Sequence, residues 1–184
     1  MEISIRAAAS SDIPALQALI PLSARALSQG WYTPQQIESA IRYVFGVDSR
    51  LIADGTYYVA LGNGDLVGCG GWSRRKTLFG GDQMKADEDP LLDPAHEAAR
   101  IRAFFVHPQY ARRGIGRLLI QTCEEAARAA GFSRMELAAT LPGEPLYAAM
   151  GYVAVARFAH LTPDGTSLPL VHMAKSLVPA VTPP

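Results

Sequence analysis

Arg100-Ile101-Arg102-Ala103-Phe104-Phe105-Val106-His107-Pro108-Gln109-Tyr110-Ala111-Arg112-Arg113-Gly114-Ile115-Gly116-Arg117 runs from an apolar strand, through a proline-bounded turn, into a basic glycine loop that opens a helix. Glycines let a backbone come close to a ligand, and the first N–H groups of a helix have no partner within it. The helix dipole adds positive potential at the same end, so the stretch reads as an anion site, with phosphate the natural occupant.

Around it stand 184 residues, enough for one sizeable domain, with 49% hydrophobic and 18% charged residues. That is ample material for a core and excludes wholesale disorder. Seventeen acids balance seventeen bases, so net charge gives no pull toward nucleic acid or an anionic membrane. Cys69 and Cys123 fall in different predicted elements without metal-ligand spacing, and both read as reduced core thiols, with no metal expected. The first residues lack a signal-length apolar run and no segment is long enough to span a bilayer, so a cytoplasmic location is expected.

Alternation predicts a strand over residues 3–8. Ser10 or Ser11 caps the helix that follows, and Pro21 is expected to kink or break it before a second segment reaches Leu27. Thr33-Pro34-Gln35-Gln36 is a capping box for another helix, with Ile37, Ala40, Ile41 and Val44 inward and Gly46 at its end. These helices suit a wall of an acceptor pocket or simply a cover for one sheet face. Residues 56–61 and 66–73 flank Gly62-Asn63-Gly64-Asp65 and form a hairpin. Gly68, Gly70 and Gly71 mark a bulge or a close approach, made either for a ligand or for packing.

Residues 76–98 carry no regular pattern but many acids: Asp82, Asp87, Glu88, Asp89, Asp93 and Glu97. They read either as a solvated loop or as bait for a cationic amine. Beyond the central stretch, residues 115–130 form a helix with Ile115, Leu118, Leu119, Thr122 and Ala126 facing the sheet and Gly131 ending it. A strand over 133–139, a short helix over 145–150, two final strands over 152–158 and 168–174, and a frayed tail at 179–184 complete the chain. The strand–helix–strand order makes a βαβ unit, and no linker or repeat divides residues 1–178.

The glycine loop is neither a Walker A loop, since no Gly-Lys-Ser/Thr follows, nor a dinucleotide fingerprint, since Leu119 stands where a third glycine belongs. Taken with Phe104-Phe105-Val106-His107-Pro108, Ala111-Arg112-Arg113-Gly114-Ile115-Gly116 and Leu146-Tyr147-Ala148-Ala149-Met150-Gly151-Tyr152, and with the order of elements, the chain resembles the GNAT superfamily of N-acetyltransferases. The resemblance implies an α/β domain whose splayed mixed β-sheet, flanked by helices, holds acetyl-CoA in a V-shaped opening. It implies that the backbone of Phe105, Val106 and His107 bonds the pantetheine arm. Arg112, Arg113, Gly114, Ile115 and Gly116 would cradle the pyrophosphate, and Tyr147 would donate a proton to the departing thiolate. The implied reaction is direct transfer of acetyl to a primary amine of a small molecule or protein, in a ternary complex and without a metal. A non-catalytic acyl-CoA-binding regulatory module is the alternative.

Two departures stand out. Ala111 opens the loop where the family usually has Gln or Arg, and Arg100 occupies the position of the usual Glu base. Arginine cannot accept a proton at neutral pH, which leaves His107, Glu144 and Glu97 as candidate bases, or an amine that reaches the site already neutral through bulk water. Strand alternation puts Arg100, Arg102, Phe104 and Val106 on one face. The two arginines then meet either an anionic acceptor or acids such as Glu97 and Asp93. Trp31, Tyr32 and Trp72 are candidate acceptor contacts, and exposed strand edges near the C-terminus suit a homodimer.

Overall fold

The apolar stretch before the glycine loop becomes a central strand, β4 (Ala99–Val106), in a seven-stranded sheet of order β1-β2-β3-β4-β5-β7-β6. The computed structural model describes residues 2–178, so the tail expected at 179–184 lies outside the described residues. The other strands are β1 (Ile3–Ala7), β2 (Tyr57–Gly62), β3 (Asp65–Ser73), β5 (Arg134–Thr140), β6 (Val153–Leu161) and β7 (Ser167–Ser176). All neighbours pair antiparallel except β4 and β5. That parallel pair is short: Ala99 opposes Met135 and Arg100 opposes Glu136, and there the ladder stops. Both strands continue, β5 held by β7 to Thr140 and β4 by β3 to Val106, so their C-terminal halves stand apart.

A bulge shapes the open half of β4. Arg102 pairs with Gly71 and Phe105 with Cys69, so Ala103 and Phe104 together oppose Gly70, and Ala103 takes a φ of 55°. The extra residue reverses the alternation expected from the sequence. Arg102 faces one side of the sheet, whereas Phe104 and Val106 pack on the other with Ile115 and Leu119. Only glycine fits opposite: a Cβ on Gly70 would lie 2.7 Å from the Phe104 ring, and one on Gly71 2.6 Å from the Thr56 carbonyl oxygen. These glycines therefore serve packing, and protein atoms fill the space beside them.

Helices cover both faces. α1 (Ile13–Leu27), α2 (Pro34–Tyr43) and α3 (Ser49–Ala53) bury Leu16, Ile20, Leu51 and Ile37 on one face. α4 (Ile115–Ala129) covers the other, and α5 (Glu144–Ala149) follows β5. The expected capping box forms, with Thr33 Oγ1 accepting from Gln36 N and Gln36 Oε1 from Thr33 N. The helix ends at Tyr43, three residues before Gly46.

Other expectations need correction. Pro21 sits inside an unbroken α1; helix on both sides and burial of Ser23 and Ala24 keep the segment together. Ser10 and Ser11 belong to a 3-10 turn, and Asp12 supplies the cap by accepting from Ala9 N at 2.8 Å. α3, capped by the Asp48 side chain on Leu51 N, was not foreseen. The buried stripe of α4 is Ile115, Leu119, Ile120, Cys123 and Ala127, with Leu118 41% exposed. Glu124 joins that stripe because Lys175 reaches it at 2.7 Å.

β6 is the outer strand, and its Val153, Val155 and Leu161 are exposed. No helix of the described residues is long and apolar enough to cross a membrane.

The contacts at Gly71 predict that Gly71→Ala destabilises the fold by about 2 kcal/mol through overpacking between strands. A urea-unfolding midpoint unchanged from the parent would contradict the close approach described for this position.

Candidate active site

The turn after β4 delivers the chain to the start of α4 with its backbone donors unpaired. Ala111 N bonds Pro108 O and Leu118 N bonds Gly114 O, but no described acceptor meets the N–H groups of residues 112–117. Positive φ at Arg112 (65°) and at Gly114 (85°) bends this run into a concave loop. A Cβ on Gly114 would meet nothing within 4 Å, so the loop is open above it. The loop thus sets successive N–H groups, the dipole of a fifteen-residue helix and flanking arginines beside one another, a donor set that favours an anion. A pyrophosphate fits the donor set present.

The loop borders a cavity of about 670 Å³ that enters the gap between β4 and β5. Phe105, Val106, Arg112, Gly114, Ile115, Gly116 and Tyr147 all line it. His107 and Arg113 do not. His107 gives its N–H to Val67 O (2.8 Å), takes Tyr110 N on its carbonyl and Gln109 N on Nδ1. Its N–H is thus tied into the sheet, and its carbonyl and Nδ1 into the turn. Arg113 lies over the Tyr110 ring, 5.5 Å from its centroid. Val106 N meets Ser23 Oγ at 3.2 Å, a contact from α1 that the sequence gave no sign of.

Tyr147, on α5, packs edge-on against Phe104 and Tyr152. No described residue hydrogen-bonds its phenol oxygen, which is not among the fully buried unpartnered atoms. Burial, with a smaller contribution from Cys123, raises its pKa well above the usual phenol value. It therefore carries a proton throughout the neutral range. Both cysteines are buried and free, and burial pushes the Cys69 thiol up to about 12; neither has the character of a nucleophile.

Arg100 sits where the two parallel strands still pair, and its guanidinium bonds Glu136 (2.8 Å) and Ala98 O (3.1 Å). Glu136 also meets His172 Nε2 at 3.1 Å. Arg102 bonds Asp48 (2.8 Å), Thr77 O (3.1 Å) and Gly80 O (2.5 Å). Both arginines are structural, paired with Glu136 and Asp48 rather than with Glu97 or Asp93. Lys85 adds bonds to Asp48 and Asp82, and Asp82 accepts from Ser49 N at 3.0 Å. This cluster straps residues 77–85 to α3 and sets Leu78 and Phe79 into the cavity wall.

Three further loop acids are likewise engaged with protein partners. Asp89 accepts from Thr77 N and lies 3.5 Å from Arg50, Asp93 bonds His96, and Glu97 accepts from Asp93 N. Glu144 pairs with Arg157 at 2.6 Å. The cavity lining holds no carboxylate and no imidazole, so none of the three candidate bases stands in it. Trp31 does line the cavity, whereas Trp72 packs on Phe132 and Tyr32 joins Pro169 O to Leu141 N. No group of three His, Cys, Asp or Glu side chains positioned for a metal occurs among the described residues.

Residues 17–152 match the model of the acetyltransferase (GNAT) family. No curated protein matches the chain. Among solved structures, a GCN5-related N-acetyltransferase of Rhodopseudomonas palustris is similar at 23% identity, with TM-score 0.71 and 96% of each chain covered. The yncA protein of Salmonella typhimurium, solved with acetyl-CoA, has TM-score 0.63 at 18% identity, covering 100% of this chain and 99% of that one. The paia N-acetyltransferase of Thermoplasma acidophilum, in complex with coenzyme A, has TM-score 0.61 at 16% identity, covering 96% and 99%.

Because Asp48 is 1% exposed and faces Arg102, Asp48→Ala leaves a buried guanidinium without its counter-charge. The expected cost is about 3–5 kcal/mol, read from chemical denaturation. A loss below about 1 kcal/mol would show that the strap does not depend on this pair.

Proposed function

The chain belongs to the GNAT acetyltransferase family, an acetyl-CoA-dependent transferase, and from that premise we propose that it N-acetylates a primary amine by direct attack within a ternary complex. The observation that carries this reading is the joining of two features by one cavity: the unpaired N–H run over residues 112–117 and the protonated phenol of Tyr147. Acetyl-CoA is the donor whose phosphates match the first and whose leaving thiolate needs the second.

In this reading Arg112, Gly114, Ile115 and Gly116 hold the pyrophosphate, with the Arg113 N–H contributing from the same run. The pantetheine arm lies along the open side of β4 beside Phe105 and Val106. The amine nitrogen attacks the thioester carbonyl, the C–S bond breaks, and the sulfur takes the Tyr147 proton. The proton lost by nitrogen leaves to solvent, from which Tyr147 is reprotonated. Neither cysteine takes part.

Tyr147→Phe keeps the ring contacts with Phe104 and Tyr152 and removes only the hydroxyl. It should lower kcat by about 10²–10⁴-fold, the range of a lost proton donor, with acetyl-CoA affinity unchanged by calorimetry. Thiol release at the parent rate would remove Tyr147 from the mechanism.

A further inference from the structure

The chemistry of the cavity beyond the donor loop restricts the acceptor. Its wall is apolar: Leu27 and Trp31 at the end of α1, Val44 and Phe45 after α2, and Leu78 and Phe79 from the strapped loop. Trp31 is 50% exposed and Leu27 37%, so two large apolar side chains remain uncovered at its mouth. The charged residues that do line the cavity are all cationic: Arg102, Arg112 and Arg117. Arg112 and Arg117 belong to the phosphate loop, and Arg102 is held by Asp48 and two carbonyls.

Titratable groups nearest the wall are occupied. Asp48 and Asp82 balance Arg102 and Lys85. His160 lies edge-on to the Phe79 ring outside the lining, and His172 shares Glu136 with Arg100. Tyr32 holds two backbone partners, and burial pushes its phenol up to about 12. Tyr110 lies under Arg113 and against the His107 ring. The site thus offers an ammonium neither a counter-charge nor a base, and an apolar cavity penalises the charged form.

Resting on the acetyl-transfer reading above, we infer that the acceptor is a weakly basic amine on a flat apolar body, an arylamine, which enters neutral and needs no enzymic base. Its ring would lie against Trp31, Leu78 and Phe79. Strongly basic alkylamines and polyamines would react only through their minor neutral fraction.

The test measures thiol release from acetyl-CoA with the full chain and three acceptors: 4-methylaniline, benzylamine and spermidine. From about pH 6 to about pH 8, kcat/KM for 4-methylaniline should be nearly flat. That for benzylamine should rise about tenfold per pH unit, following the neutral fraction of the free amine. At neutral pH the arylamine should exceed spermidine by at least about a hundredfold. Faster transfer to spermidine, or a benzylamine profile that levels off below the amine's own pKa, would overturn the inference and leave acetyl transfer standing. Thiol release with none of the acceptors, acetyl-CoA still binding, would overturn the inference; if a broader amine panel also fails, the transfer reading falls with it. Phe79→Ala should raise KM for 4-methylaniline about tenfold without moving KM for acetyl-CoA; an unchanged arylamine KM would also count against it.

Discussion

Everything in this molecule depends on two parallel strands that are held together at one end only. Arg100 and Glu136 face each other across the last paired rung of β4 and β5. Beyond that rung the strands are drawn to opposite partners, β3 and β7, and the sheet opens without losing its outer ladders. An unpaired strand edge inside a protein leaves polar groups exposed to whatever enters. Here what lines the gap is the donor loop on one side and Tyr147 on the other.

The bulge at Ala103 and Phe104 converts that gap into a shaped site. A regular strand would send Arg100, Arg102, Phe104 and Val106 to one face. The bulge follows Arg102, which stays on the side of Asp48 and the strapped loop, and turns Phe104 to the other side, toward Tyr147 and α4. The cost of a positive φ at Ala103 is offset by packing on both faces. Arg100, at the position where the resemblance implies a base, instead serves the rung by pairing with Glu136.

Much of this was legible in the sequence where the signal is local. The Thr33 and Gln36 box, the Asn63-Gly64 turn and the glycine loop before α4 each depend on a few adjacent residues, and the structure forms each one. So does the strand order behind the GNAT resemblance. What escaped was set by distant contacts. The glycines of β3 did mark a bulge or close approach, but nothing beside Ala103 puts the extra residue on β4, because Gly70 on the neighbouring strand permits it. His107 looked free until Val67 and Gln109 claimed it. The acids of residues 76–98 looked like a field for cations, but Arg50, Lys85, His96 and backbone amides engage four of them.

The central claim is that backbone N–H groups over residues 112–117 hold the diphosphate of the acyl donor. Titration of ¹⁵N-labelled protein with coenzyme A, followed through its amide resonances, tests it most directly. The account predicts that the largest saturable shifts fall on Arg112, Arg113, Gly114, Ile115, Gly116 and Arg117. Saturable binding that leaves those six amides unmoved while shifting another surface would contradict it.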